Sequence, residues 1–284
     1  MQTRLLGTFE IDHQKLSQDL DVISHFDFDE PYIEFSCGYP WKSAMVWTSG
    51  GVLGDGVLSR YDNRQPCLPT ANGRKLAYVR EIIQNFFVVE HLLFARVVVM
   101  SNNVLVPHRD FLELEDKSKD EKVAHRLQVP LATSEDALFM EENVIYRMRV
   151  GEVWSLDATR LHSAAALTDH KRVHLILDFA DTGKETRLVK FGEDRSAGIP
   201  DTNLAKRPAL SAGDRDAILG MSKVIDMDNF KDILGIIIKK HYRNDAGEGF
   251  VWETMREISR LSGDPEIEAH ANNLYEHYVL SRTD

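Results

Sequence analysis

FARVVVMSNNVLVPHRD, residues 94 to 110, holds two β-branched apolar runs, Phe94–Met100 and Val104–Val106, on either side of the turn formers Ser101-Asn102-Asn103. Short runs of this composition, bounded by turn residues, read as strands. Similar runs follow at Leu127–Leu131, Val144–Met148, Glu152–Leu156 and Val173–Phe179, parted by Thr133-Ser134-Glu135-Asp136 and by Gly151, and Ser43–Trp47 reads as one more upstream. Many short strands at such spacing predict an all-β sandwich or barrel, and a double-stranded β-helix (jelly roll) suits the pattern.

Helical periodicity brackets this centre. Asp12 to Ser24 carries Leu16, Leu20 and Ile23 at helical spacing, and Arg74 to Phe87 carries a stripe of Leu76, Val79, Ile82, Ile83 and Phe86 after a break at Asn72-Gly73. Past Gly183 the chain turns polar and loop-like through Arg195–Pro208. Helical signals resume at Asp214–Lys223, Phe230–Tyr242, Val251–Leu261 and Asp264–Leu280. Ser262-Gly263-Asp264-Pro265 reads as a helix stop and restart, and Ile233, Ile236 and Ile237 as a packing stripe. The fold class expected is mainly β with α: a jelly-roll (cupin-like) core with N-terminal helices over residues 1–190, then a helical domain over 191–284.

Composition excludes several functions. The 284 residues are 43% hydrophobic and 28% charged, with a formal net charge of -11. No dense Lys/Arg tract offers the electrostatic footprint of a nucleic-acid binder. Two cysteines, Cys37 and Cys67, lack metal-ligand spacing and suggest a reducing compartment. The N-terminus has no signal-peptide apolar region, and no apolar run approaches the ~18 residues of a membrane span. A cytoplasmic protein without a membrane partner is expected; its oligomeric state stays open. The Gly50–Gly56 cluster is not G-x-G-x-x-G, and neither a serine nucleophile elbow nor H-E-x-x-H occurs.

The chemistry concentrates in three segments: VPHRDFLEL (106–114), GEVWSLDATRLHSA (151–164) and KRVHLILDF (171–179). On a strand, positions i and i+2 share a face, so His108 and Asp110 can meet one metal, with His162 arriving from another strand. Two imidazoles and a carboxylate form the facial triad that holds ferrous iron by one face and leaves three positions open. H-x-D alone is common as a surface or hydrogen-bonding pair; the second histidine and Arg172 on the next strand are what raise it. Zinc fits the same ligands, although open positions do not suit a closed structural zinc site.

Arginine pairs bidentately with carboxylates, so Arg172 suits the far carboxylate of a keto-acid. Arg96 and Arg126 also lie in strand-like apolar runs, where a buried guanidinium needs a partner. Carboxylates of an amino-acid substrate and of 2-oxoglutarate would serve, as would the chain's own Asp and Glu. Gln128 and His174, with His125, are read as supporting neighbours. His13, His25, His91, His170, His241, His270 and His277 are read as surface or packing residues. The reading is an Fe(II)-, 2-oxoglutarate- and O2-dependent oxygenase, with the charged loop Glu113–Val123 as a candidate lid.

PHRDFLEL, GEVWSLDATRLHSA, the start TRLLGTFEIDHQKLSQDL and the stretch NFKDILGIIIKKHY resemble the bacterial free L-proline cis-3- and cis-4-hydroxylases, within the aspartyl/asparaginyl β-hydroxylase-like group. The resemblance spans nearly the whole chain. It implies a jelly-roll core with a helical C-terminal domain, iron on His108, Asp110 and His162, 2-oxoglutarate on Arg172, and Arg96 and Arg126 divided between substrate and co-substrate. The chain departs from those enzymes at Arg126-Leu127-Gln128, at Tyr39-Pro40-Trp41 and in the insert Lys117–Lys122. Proline is therefore the first expected substrate, with lysine, leucine and pipecolate open, and Glu113 or Glu115 as contacts for a cationic side chain. Two rival readings are a peptide hydroxylase and a metal-binding jelly roll without turnover.

Overall fold

The computed structural model describes residues 3–110, 123–180, 182, 185–191 and 198–280. The N-terminal elements are β1 (Arg4–Thr8), α1 (His13–Ser24), β2 (Lys42–Ser49), β3 (Cys67–Pro69), α2 (Ala71–Lys75) and α3 (Ala77–Phe86). The β core continues with β4 (Leu92–Met100), β5 (Asn103–Val104), β6 (Val123–Ala132), β7 (Ala137–Glu141), β8 (Val144–Tyr146), β9 (Glu152–Leu156), β10 (His162–Ala166) and β11 (Arg172–Ala180). The C-terminal part holds α4 (Ala212–Leu219), α5 (Phe230–Arg243), α6 (Phe250–Ser262), α7 (Pro265–Tyr275) and a π-helical turn, Glu276–Leu280. One sheet runs β1-β9-β6-β11-β4-β2-β3 and the other β5-β10-β7-β8, all pairs antiparallel. This is the expected jelly roll. The candidate lid and the insert Lys117–Lys122, with Glu113 and Glu115, lie outside the described residues apart from Val123.

Strand periodicity sorts the large sheet into two faces. On β11, Val173, Leu175, Leu177 and Phe179 pack with Leu16 and Ile23 of α1 and with Val79, Ile82 and Ile83 of α3. The alternate positions Arg172, His174, Ile176 and Asp178 are buried on the opposite face. On β6, Leu127 and Val129 join the helical side and leave Arg126 and Gln128 with the inner set. The small sheet is covered by the C-terminal helices: Leu138, Met140 and Ala165 share a core with Ile237 of α5 and Met255 and Ile258 of α6.

Local signals and structure agree unevenly. Asp12 caps α1 through its side chain, as Asp264 caps α7, with Pro265 in the first turn and Gly263 left-handed at φ 73°. The single helix expected over Arg74–Phe87 is instead two, broken at Leu76. Asn72-Gly73, expected to precede it, lies inside α2: Thr70 caps Gly73, whose missing side chain lets the backbone close on β2. A Cβ there would sit 1.9 Å from the Val46 carbonyl oxygen. The expected strand at Val104–Val106 reaches only Val104, and β8 stops at Tyr146. Strands β1, β3 and β7 were not anticipated. Ile233 and Ile237 are buried as expected, but Ile236 is 50% exposed, because it points away from the face that packs.

His241, on α5, is a packing residue, buried and stacked on Phe250 at 5.9 Å. Burial and the nearby Arg207 guanidinium push its imidazole down to about 4. The unfolded chain therefore binds a proton more readily than the folded one, so stability is lost as pH falls from the ordinary histidine value toward 4. The loss expected from His241 is roughly 3 kcal/mol. Thermal melts of wild type and His241→Phe between pH 7 and about 4 should show a shallower decline for the variant; parallel curves would remove His241 from the acid response.

Candidate active site

His108 and His162 come together although they lie on separate segments. Their backbones form an antiparallel bridge, with His108 N donating to His162 O at 3.0 Å and His162 N to His108 O at 2.8 Å. Asp110 is held by its own N–H on the Ala158 carbonyl at 2.8 Å. One ligand atom from each of His108, Asp110 and His162 lies within 4.8 Å of the others, the only such cluster among the described residues. Asp110 Oδ1 is 3.4 Å from His108 Nε2 and 3.9 Å from His162 Nε2.

Backbone carbonyls set both imidazoles. His108 Nδ1 lies 2.7 Å from Val106 O, and His162 Nδ1 lies 2.9 Å from Arg160 O. Each contact requires a proton on Nδ1, which leaves Nε2 as the ring nitrogen that faces Asp110. Burial, with His108 alongside, pushes His162 down to about 4, so it is neutral at physiological pH. Burial alone would raise Asp110, but Arg126 and the two imidazoles hold it well below the usual carboxylate range. Two imidazole nitrogens and one anionic oxygen, converging from one side, fit ferrous iron.

The triad opens on a cavity of about 350 Å³, lined also by Arg96, Arg126, Gln128 and Arg172, with Phe35, Trp41 and Ile176 among its apolar walls. The three arginines differ in what they already touch. Arg126 donates through Nε to Asp178 at 2.7 Å and through Nη1 to Asp110, so it fixes Oδ2 of that carboxylate and leaves Oδ1 to the two imidazoles. Arg172, 2% exposed, has no carboxylate within salt-bridge distance among the described residues. Its contacts are Gln128 Oε1 at 3.3 Å and Met100 Sδ at 3.8 Å. Burial lowers it to about 10, so it keeps its charge at neutral pH. Arg96, also 2% exposed, reaches Asp178 only at 3.9 Å, and its Nε and Nη1 are buried without hydrogen-bond partners among the described residues.

Gln128 and His174 act as a pair. Gln128 Oε1 accepts from Arg172 and lies 2.9 Å from His174 Nδ1. Burial and the adjacent Arg172 hold His174 well below the ordinary histidine range, so it adds no second cation there. His125 is buried outside the cavity lining. Asp178 was missed in the sequence, though alternation from Arg172 places it on the same face. Trp41, within the departing stretch Tyr39-Pro40-Trp41, and Tyr32, which carries no local signal, place their rings 5.4 and 6.0 Å from the Arg96 guanidinium.

Residues 10–182 match the model of the aspartyl/asparaginyl beta-hydroxylase family, and residues 185–284 match that of the L-proline 3-hydroxylase C-terminal region. L-proline cis-3-hydroxylase 2 of a Streptomyces species is 32% identical over 99% of this chain and 96% of its own length. L-proline cis-3-hydroxylase 1 of a Streptomyces species is 30% identical over 99% and 96%. L-proline cis-4-hydroxylase of Rhizobium meliloti is 28% identical over 94% and 92%. With its His-Asp-His cluster and full-length match, the chain belongs to the aspartyl/asparaginyl β-hydroxylase family and, within it, to the L-proline hydroxylases.

Proposed function

We propose that this protein is an Fe(II)- and 2-oxoglutarate-dependent dioxygenase that hydroxylates free L-proline at ring carbon 3 or 4. The observation that carries the reading is a pair of buried guanidiniums, Arg172 and Arg96, neither closely paired to a carboxylate among the described residues, in the cavity of the iron triad. Arg96 lies across from Ile176, four residues along β11 from Arg172. At ~3.3 Å per residue that separates them by about 13 Å, room for two carboxylates at different stations.

His108, Asp110 and His162 would hold the iron. When bound, it supplies the oxidative chemistry, in which 2-oxoglutarate and O2 become succinate and CO2 while one oxygen atom enters a substrate C–H bond. The protein's own contributions are placement and exclusion of water. Arg172, oriented by Gln128, anchors the distal carboxylate of 2-oxoglutarate. Arg96 binds the proline carboxylate, and Arg126 holds Asp110 while lining the space between. The apolar walls receive the ring and keep the reacting carbon dry. The two free thiols, Cys37 and Cys67, accord with a reducing cytoplasm.

The test is anaerobic Fe(II) loading, then 2-oxoglutarate, O2 and a panel of free L-amino acids including lysine, leucine and pipecolate, reading succinate and a product with one added oxygen. Succinate coupled to hydroxyproline is expected. Coupling to another amino acid would replace proline as the substrate, and no succinate from iron-loaded protein would overturn the enzyme reading. Arg96→Met should raise KM for proline by about 10- to 100-fold, the worth of a charge-assisted hydrogen bond, and leave KM for 2-oxoglutarate near wild type. The reverse pattern would exchange the roles of Arg96 and Arg172.

A further inference from the structure

The peptide units on both sides of His108 are tied to the C-terminal helices. Trp252, on α6 and 2% exposed, donates its indole Nε1–H to the Pro107 carbonyl at 3.0 Å. The Arg109 N–H donates to the carbonyl of Tyr278, in the terminal π-helical turn, at 3.0 Å. A second route runs through rings: Trp252 stacks on Tyr278 at 6.1 Å, Tyr278 meets Phe35 edge-on at 5.1 Å, and Phe35 meets the His108 imidazole at 4.5 Å. The strand bridge to His162 restrains His108 from only one edge. On the opposite edge the segment is held by the Phe35 carbonyl, which accepts from Val106 N–H at 2.8 Å, and by elements some 145 residues later in the chain.

We infer that Trp252 is a positioning residue for the iron centre, acting through the Pro107 carbonyl to fix the extended segment that carries His108 and Asp110. The inference rests on the iron reading of the triad. A buried hydrogen bond to a segment outside the regular strands helps select one backbone setting, and a ligand displaced by a few tenths of an ångström no longer converges with its two partners. The helical part is thus one wall of the metal site as well as a cover for the small sheet.

The experiment is anaerobic titration of the full-length apoprotein with Co(II), followed by its visible absorption, together with thermal melts. Trp252→Phe keeps most of the ring and removes the N–H. Ile258→Val, also fully buried on α6, is the packing control. Trp252→Phe should bind Co(II) about 5- to 10-fold more weakly, the share of one hydrogen bond, with an altered spectrum. Ile258→Val should bind as wild type does, even at an equal loss of Tm. Phe35→Leu, which opens the ring route alone, should weaken binding by about 2-fold or more, and it supplies the reading should Trp252→Phe not fold. Wild-type affinity in a folded Trp252→Phe, or in Phe35→Leu should Trp252→Phe not fold, or an equal loss in Ile258→Val, would overturn the inference. Failure of wild type to bind Co(II) would instead defeat the iron reading beneath it.

Discussion

Asp110→Asn is expected to lower kcat/KM by at least about 1000-fold, or ~4 kcal/mol of transition-state stabilisation. The two carboxylate oxygens have separate duties: Oδ1 faces the two Nε2 atoms, and Oδ2 accepts from Arg126. Asparagine keeps the size and loses the charge on which both depend. With the amide in place, a divalent ion meets two neutral nitrogens and no anion, so iron affinity should fall as well. Arg126 would retain only Asp178, at a stability cost of about 3 kcal/mol for an ion pair broken away from water. The measurements are anaerobic metal titration, succinate formation and a thermal melt on the same preparation. Turnover within tenfold of wild type would remove Asp110 from the ligand set.

Arg172→Met is expected to separate binding from stability in the opposite sense. Two charge-assisted hydrogen bonds to the distal carboxylate, at ~1.5–3 kcal/mol each, predict that KM for 2-oxoglutarate rises by at least about 100-fold. KM for proline should move little. Because no carboxylate among the described residues pairs with the buried Arg172 guanidinium, the apoprotein bears its desolvation with only the neutral Gln128 to offset it. Methionine has a similar length and no charge, so Tm should stay level or rise. Arg172→Lys should recover part of the affinity, since an ammonium supplies the charge but not the planar fork. An unchanged KM for 2-oxoglutarate would move the anchor elsewhere, and a large drop in Tm would mean that Arg172 serves the fold instead.

The same arginines show how far the sequence reaches. Arg96, Arg126 and Arg172 stand out because each interrupts an apolar run, and alternation of period two sends all three inward. That local rule also places Gln128, His174 and Asp178 on the inner face. It does not say that Arg126 meets Asp178 and Asp110 while Arg96 is left with two unpartnered nitrogens.

The sequence by itself determined the strands and helices that have their own period, the caps at Asp12 and Asp264, and the His108-x-Asp110 pair that a single extended segment aligns. These features depend on neighbours within a few residues, where side-chain geometry repeats. Tertiary structure decided the pairing of His108 with His162, the break at Leu76, the approach of Gly73 to Val46, and the placing of Trp41, Tyr32 and Trp252 against the site. These depend on register and packing between segments tens to more than a hundred residues apart, and no local spacing carries that information.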